Sequence, residues 1–425
     1  MAKKTIRPAK KLSGTITLPG DKSISHRAIM LGAIADGTTV ARGVLDCDDC
    51  NYTIHAFREM GVRIAKEGGS TVMHGAGLNG LKRPAGSIYV GESGTTMRLL
   101  AGILAGQKFE SVLEGDLSLS KRPMQRIIEP LGLMGAKIRS ASGGYPPLRI
   151  KAGKLKPIDY KMKVASAQVK SAILFAGLYT TGITKVREKV KSRDHTERMM
   201  RYFGADIKYD GLTVALRGGR RLFGQALEVP GDISSAAFFM VAATLIKGSK
   251  IRINRVSINP TRAGILDVLQ RMGSNVKIIN KVEAFEPFAD IEVSSAVTKG
   301  TVIKEEEIPR LIDELPVIFV LAALSSGRTI VRGASELRVK ETDRIRSMQD
   351  NLSSMGAKIS VCKGSLVIEG RRYLDGAPLK SFGDHRTCMA MTVAALAAKG
   401  ASAIDDVACV SKSFPEFFDV MEGLK

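Results

Sequence analysis

The sequence predicts an α/β protein of α+β repeats, arranged as two domains of three βαβαββ-like units each. Two interleaved repeats and the chain length carry this reading. An apolar, alanine-rich helical run ending on glycine recurs six times, a short β-like run opened by Met-Gly or Phe-Gly recurs five times, and 425 residues outgrow one ordinary core.

The alanine-rich runs end LGAIADG, LAGILAG, AGLYTTG, AATLIKG, LAALSSG and AALAAKG, on Gly37, Gly106, Gly182, Gly248, Gly327 and Gly400, at intervals of 69, 76, 66, 79 and 73 residues. The second pattern reads MGVRI at 60–64, MGAKI at 134–138, FGADI at 203–207, MGSNVKI at 272–278 and MGAKI at 355–359. Glycine suits the residue just past a helix, where a left-handed conformation is needed. The sixth copy keeps its helix at 414–424 without the strand that would follow. The alternating segment at 15–18 is expected to supply it, which puts both chain ends in one domain. The expected division is 1–20 with 229–425 as a lower domain and 21–228 as an upper one. Hinges are expected near 19–21 and 229–231, where Pro19-Gly20 and Pro230-Gly231 stand.

Composition removes several function classes. Apolar residues at 44% and charged residues at 25% are those of a soluble globular protein. The longest apolar runs, 172–178, 236–246 and 315–324, fall short of the roughly 18 residues a membrane span requires. Residues 1–14 are basic with no apolar stretch behind them, unlike a secretory signal. Five cysteines without framework spacing point to a reducing compartment, the cytoplasm. The net charge of +22 is spread along the chain, while aromatics are 5% and tryptophan is absent, so stacking platforms for nucleic acid are missing. Small, highly anionic substrates account for the same charge.

The helix starts carry the chemistry. They read Gly20-Asp21-Lys22-Ser23-Ile24-Ser25-His26-Arg27, Gly94-Thr95-Thr96-Met97-Arg98, Ser166-Ala167-Gln168-Val169-Lys170, Gly231-Asp232-Ile233-Ser234-Ser235, a fifth bearing Asp313, and Asp384-His385-Arg386. Helix N-termini offer free N–H groups and partial positive charge, which attract phosphate and carboxylate. Any one of these starts is explained as an ordinary Ser, Thr or Asp cap. Six in register, four with Lys or Arg, point instead to anion binding. Lys121-Arg122-Pro123 lies on a loop, and Lys340-Glu341-Thr342-Asp343-Arg344 is expected to start a helix with Lys340 and Arg344 one turn apart. Alone, that run also reads as a solvated i,i+4 face.

Other motifs lack their context. Gly75-Ala76-Gly77-Leu78-Asn79-Gly80 has the letters of a dinucleotide fingerprint but no helix after it, and reads as a turn. Cys47-Asp48-Asp49-Cys50 is a lone CxxC, and His26, His55, His74, His195 and His385 have no metal-ligand spacing.

The stretch LPGDKSISHR at 18–27 resembles the opening signature of the 5-enolpyruvylshikimate-3-phosphate synthase family. Residues 94–98, 121–123, 166–170, 340–344 and 384–386 resemble that family's motifs in the same order. The resemblance implies the family's inside-out barrel fold, a monomer, no metal or organic cofactor, and small anionic substrates as partners rather than nucleic acid or membrane. Shikimate 3-phosphate would be held by Lys22, Ser23, Arg27, Ser166, Ala167, Gln168, Arg193, Asp313 and Lys340. Phosphoenolpyruvate would be clamped by Lys22, Gly94, Arg122, Gln168, Arg344, His385, Arg386 and Lys412. For catalysis, Asp313 is expected as the base at the 5-hydroxyl and Glu341 as the acid at the methylene carbon. Lys22 would stabilise charge and is a candidate to share the proton transfer. The hinges imply closure over both anions. The sister UDP-N-acetylglucosamine enolpyruvyl transferases usually carry Lys-Asn where this chain has Lys22-Ser23, and a reactive Cys where Arg122 lies. A basic nucleic-acid-binding protein is the alternative from another class.

Four motifs also resemble the glyphosate-tolerant class II branch: Gly20-Asp21-Lys22-Ser23, Ser166-Ala167-Gln168-Val169-Lys170, Arg193-Asp194-His195-Thr196-Glu197 and Asn259-Pro260-Thr261-Arg262. Glu92 stands where the family commonly has Asn, beside the expected anion site, and its carboxylate would repel phosphoenolpyruvate unless it pairs with an Arg or faces away.

Overall fold

A helix that is apolar on every side belongs inside a protein, and the alanine-rich runs obey this in the computed structural model, which describes residues 2–362 and 364–425. The chain divides into two compact units. One is Gly20–Val229, here the inserted unit; the other, the terminal unit, joins the residues up to Pro19 with Pro230–Lys425.

The inserted unit holds helices α1 (Lys22–Ile34), α2 (Asp48–Glu59), α3 (Gly94–Ala105), α4 (Gln125–Leu133), α5 (Ala167–Gly177) and α6 (His195–Tyr202). The terminal unit holds α7 (Ile233–Leu245), α8 (Gly264–Arg271), α9 (Ile308–Leu311), α10 (Leu315–Ala323), α11 (Arg344–Ser354), α12 (His385–Leu396) and α13 (Phe417–Glu422). The alanine-rich helices are α1, α3, α5, α7, α10 and α12, and every residue of α10 and α12 is buried. The intervening helices α2, α4, α8 and α11 bury one face only.

Three sheets belong to each unit, and they are separate and open. The unit around α3 shows the plan. Ile88–Tyr89 leads through α3 into Ser111–Glu114, which lies parallel to it, as a strand–helix–strand crossover requires. After α4 the chain returns as a hairpin, Lys137–Ala141 and Tyr145–Lys151, whose second strand pairs antiparallel with Ser111–Glu114. Strands alternate buried and exposed residues, as in Tyr145–Lys151. The helices are therefore inside and the sheets outside, which is the sense in which this architecture is inside-out.

The chain ends join different sheets from those expected. Lys4–Ile6, not residues 15–18, completes the sixth sheet, antiparallel to Ser402–Ile404. Ser13–Thr17 instead lies parallel to Lys250–Ser257 in the fourth sheet. The reason lies at the two connections. Ala226–Glu228 precedes α7 in sequence, yet pairs parallel with Asp36–Arg42 of the inserted unit, so the sheet of α7 takes Ser13–Thr17 in its place.

The Met-Gly and Phe-Gly pairs end helices as expected. Gly61, Gly135, Gly204, Gly273 and Gly356 each follow a helix with φ between 85° and 97°. The glycines closing the alanine-rich runs act differently: α1 ends at Ile34 before Gly37, and α5 at Gly177 before Gly182, so most form the turn into the next strand. In the terminal unit, Phe417 of α13 packs against Phe238 and Phe239 of α7 and against Phe414, seating the last helix in the core. Among the described residues no helix is long and apolar enough to cross a membrane.

Helices α3 and α5 touch closely at Gly102, where an added Cβ would overlap the Ala172 carbonyl oxygen. Gly102→Ala is expected to destabilise the protein by about 1–3 kcal/mol in a urea melt. Gly132→Ala, on the exposed face of α4 with open space around it, is expected to gain up to about 1 kcal/mol. Equal effects from the two would refute this account of the α3–α5 contact.

Candidate active site

Short polar side chains precede the buried helices, and five of the six central helices are capped by them. Asp21 accepts from Ile24 N (3.0 Å), Ser93 from Thr96 N (3.2 Å), Ser166 from Val169 N (3.4 Å), Asp232 from Ser234 N (2.8 Å) and Asp384 from Arg386 N (2.8 Å). Capping and the placing of cations occur together at these mouths.

In the inserted unit, Lys22 opens α1 and its Nζ donates to Asp49 Oδ2 at 2.9 Å, a residue on the first turn of α2. Both side chains are half-buried, so solvent and salt screen this pair less than a bridge on the surface. A chain of three buried contacts, from one imidazole through three hydroxyls, ties the same helices to α3. His26 Nδ1 lies 2.7 Å from Thr53 Oγ1, which is 2.7 Å from Thr96 Oγ1, itself 2.7 Å from Ser93 Oγ. Burial holds the His26 imidazole neutral, pulling its pKa down to about 3.

At the mouth of α3 two guanidinium groups gather over backbone. A Cβ on Gly94 would lie 2.8 Å from Arg98 Nη1 and 3.1 Å from Arg122 Nη1, so two guanidinium groups stand over bare backbone. Arg98 Nη1 also donates to Gln168 Oε1 (2.8 Å), and Gln168 Nε2 to Thr95 Oγ1 (3.0 Å), which locks the mouths of α3 and α5 together. Ser166 is the cap of α5 and Ala167 its first residue. Arg27 is buried. It donates from Nε to Thr196 Oγ1 (2.6 Å), from Nη2 to Ser171 Oγ (2.9 Å) and from Nη1 to the carbonyl of Ser23 (2.8 Å), spanning α1, α5 and α6. Arg193 is half-buried on the loop before α6. Glu92 is half-buried in the turn before Ser93, its carbonyl accepting from Gly94 N at 2.9 Å.

In the terminal unit, Arg344 organises the site. It is 1% exposed, and donates from Nε to Asp384 Oδ2 (2.8 Å), from Nη2 to Glu341 Oε2 (2.6 Å) and from Nη1 to Asp313 Oδ1 (3.3 Å). Burial opposes its charge, but Asp384, Glu341 and Asp313 outweigh that and push its pKa up. Asp313 is shared further, with Arg386 Nε at 3.6 Å and Arg262 Nη1 at 3.7 Å. Arg386 Nη1 reaches the Asp313 carbonyl at 3.3 Å. Arg262, fully buried, donates to Asp232 (3.0 Å) and Ser234 (2.9 Å) at the mouth of α7. His385 opens α12 and is buried, and Lys412 Nζ donates to the Gly383 carbonyl at 3.0 Å. Lys340 follows a short 3₁₀ stretch, Ala334–Val339, and burial lowers its pKa.

The 340–344 run is not a solvated helical face. Asp343 caps α11 by accepting from Ile345 N and Arg346 N (both 3.1 Å), so the helix starts at Arg344 and Lys340 lies outside it. Sequence reasoning gave no individual role to Asp49, Arg98, Arg262, Asp232 or Asp384, although it placed Arg98, Asp232 and Asp384 at helix starts that point to anion binding and Arg262 in a family motif. Asp49 sat inside the CxxC weighed only as a metal motif, and Arg98 one turn into a helix already singled out for Gly94. Among the described residues no three His, Cys, Asp or Glu side chains group to hold a metal ion.

The profile of the family EPSP synthase (3-phosphoshikimate 1-carboxyvinyltransferase) matches residues 6–421. The chain belongs to the EPSP synthase family. It is 51% identical over 420 residues to the 3-phosphoshikimate 1-carboxyvinyltransferase of Geobacter metallireducens, covering 98% of both chains. The enzyme of that name from Brevibacillus brevis is 49% identical over 418 residues, again with 98% of each covered. Among solved structures, EPSP synthase from Acinetobacter baumannii superposes with a TM-score of 0.89 at 45% identity, over 99% of this chain and 98% of that one. The enolpyruvyl transferase NikO from Streptomyces tendae, at 18% identity and a TM-score of 0.79 over 99% of this chain and 96% of that one, shares the fold.

The neutral His26 has a consequence for stability. Its folded pKa of about 3 lies below the ordinary 6.5, so between those values the unfolded chain binds a proton that the folded one does not. Stability is therefore lost as pH falls through that window. A His26→Gln protein is expected to show a shallower loss, by up to about 1.4 kcal/mol per pH unit, in guanidinium melts between pH 6.5 and 4. Parallel slopes for the two proteins would refute it.

Proposed function

We propose that this chain transfers the enolpyruvyl group of phosphoenolpyruvate to the 5-hydroxyl of shikimate 3-phosphate, releasing phosphate, as an enzyme of the shikimate pathway. The observation that supports it most is local. In a chain of the EPSP synthase family, the two carboxylates suited to acid–base work, Asp313 and Glu341, are bonded to the same buried guanidinium, Arg344.

In this reading Asp313 takes the proton of the 5-hydroxyl as its oxygen attacks C2, while Glu341, in its acid form, delivers a proton to C3. A tetrahedral ketal results. Asp313 then returns a proton to the departing phosphate and Glu341 recovers one from C3, restoring the enol ether. Since Arg344 contacts both carboxylates, proton gain at one and loss at the other leaves the charge around it constant. Lys22, fixed by Asp49, stabilises developing negative charge. Phosphoenolpyruvate is assigned to Lys22, Gly94, Arg122, Gln168, Arg344, His385, Arg386 and Lys412. Shikimate 3-phosphate is assigned to Lys22, Ser23, Arg27, Ser166, Ala167, Gln168, Arg193, Asp313 and Lys340. Arg98 joins the former set by its place over Gly94. Planar guanidinium groups suit carboxylate and phosphate oxygens. The same reading carries a cytoplasmic monomer that uses no metal or organic cofactor. The four motifs that resemble the class II branch favour tolerance to glyphosate, whereas Gly94 leaves the usual room near the phosphoenolpyruvate site; a low-micromolar inhibition constant would exclude tolerance.

Phosphate release from phosphoenolpyruvate tests the whole. Release is expected with shikimate 3-phosphate and not with UDP-N-acetylglucosamine; the reverse result moves the chain to the sister activity. Asp313→Asn and Glu341→Gln are each expected to lower kcat by about 10²–10⁴ while remaining folded by circular dichroism. An unchanged kcat in either removes that residue from the proton transfers.

A further inference from the structure

We propose that Lys170, buried between Glu188 and Glu197, is a positioning residue that holds Arg193 at a fixed distance from the mouth of α5. The proposal rests on the assignment of Ser166, Gln168 and Arg193 to shikimate 3-phosphate.

Lys170 lies one turn inside α5, and its side chain is 0% exposed. Its Nζ donates to Glu188 Oε2 at 2.9 Å and to the carbonyl of Ser192 at 3.4 Å, and forms an ion pair with Glu197 Oε1 at 2.7 Å. Glu188 and Glu197 are equally buried. Glu188 closes the strand Ile183–Arg187, and Glu197 is on α6. One ammonium therefore ties three elements together.

The loop between them is the target of these bonds. Glu188 Oε1 accepts from Ser192 N at 3.0 Å and also from Ser192 Oγ. On the far side of Arg193, Asp194 accepts from Arg198 Nε at 2.9 Å, and Thr196 Oγ1 meets both Arg27 and Ser171. The residues flanking Arg193 are thus fixed by side chains, while Arg193 itself is half-buried.

Stability alone does not account for the cluster. Desolvating three charges costs several kcal/mol per ion, and apolar residues of similar volume would join the helices at least as well. What apolar packing cannot do is hold a loop by directional bonds to one backbone N–H and one carbonyl. A guanidinium that must meet a phosphate gains from placement within about 0.5 Å. The glutamates raise the pKa of Lys170 despite its burial, so the ammonium stays charged through the working pH range.

The test compares four variants with the wild type for both KM values, kcat and Tm. Arg193→Ala checks the assignment. Glu188→Gln and Glu197→Gln each leave a Lys–Glu pair of zero net charge, so the fold is retained. The triple variant Lys170→Met, Glu188→Gln, Glu197→Leu buries no charge at all. The expected result is a rise of about tenfold in KM for shikimate 3-phosphate in Glu188→Gln and in the triple variant. KM for phosphoenolpyruvate stays within about twofold, and the Tm of the triple variant is equal or higher. If KM for shikimate 3-phosphate is unchanged in these variants while Arg193→Ala raises it, or if both KM values rise together, the proposal is overturned. If Arg193→Ala leaves KM unchanged, the substrate assignment fails and the proposal falls with it.

Discussion

A guanidinium or ammonium taken out of water costs several kcal/mol unless an anion and matching acceptors go with it. A protein that binds phosphate and carboxylate in a sheltered place must nevertheless keep cations there. With 64 basic and 42 acidic residues, this chain meets the demand by placing carboxylates against its buried cations rather than over its surface alone. Lys22 has Asp49, Arg262 has Asp232, Lys170 has two glutamates, and Arg344 has Asp313, Glu341 and Asp384. The three partners of Arg344 come from the approaches to α10, α11 and α12, so a single guanidinium coordinates the starts of three helices. Positioning and charge balance are the same set of bonds.

The helix caps narrow what the mouths offer. Where Asp21, Ser93, Ser166, Asp232 and Asp384 take the first free N–H groups, less of the helix end is left for a ligand. Side-chain cations must then do more of the binding, and Gly94, beneath Arg98 and Arg122, shows the compromise: bare backbone with two guanidinium groups above it. The capping and anion-binding readings of these motifs are complementary.

Local order was legible in the sequence and non-local order was not. Gly61, Gly135 and their three counterparts announced helix ends because a left-handed residue is a requirement of the chain at that point alone. The alanine-rich runs announced buried helices because they have no polar side to show solvent. The partner of Ser13–Thr17 could not be read this way. Its alternation is satisfied by any sheet edge, and the choice depended on where Ala226–Glu228 had gone. At the site, cations next to glycine or a cap stood out. Asp49 did not, because it faces a cation brought by another element; Asp384 was visible as a helix start but not as the partner of Arg344, and Arg262 only as part of a family motif.

The exchange of strands at the two connections bears on how the protein is made. Ser13–Thr17 leaves the ribosome early but its partner, Lys250–Ser257, is synthesised only after the whole inserted unit. Lys4–Ile6 waits longer still, for Ser402–Ile404. The inserted unit has all its own strands by Glu228 and can condense as the chain emerges. The first 19 residues meanwhile trail as an unpaired segment whose ladder closes last. The many lysines and arginines of that segment, KKTIRPAKK at 3–11, give it the charge that keeps a waiting strand from pairing with its neighbours.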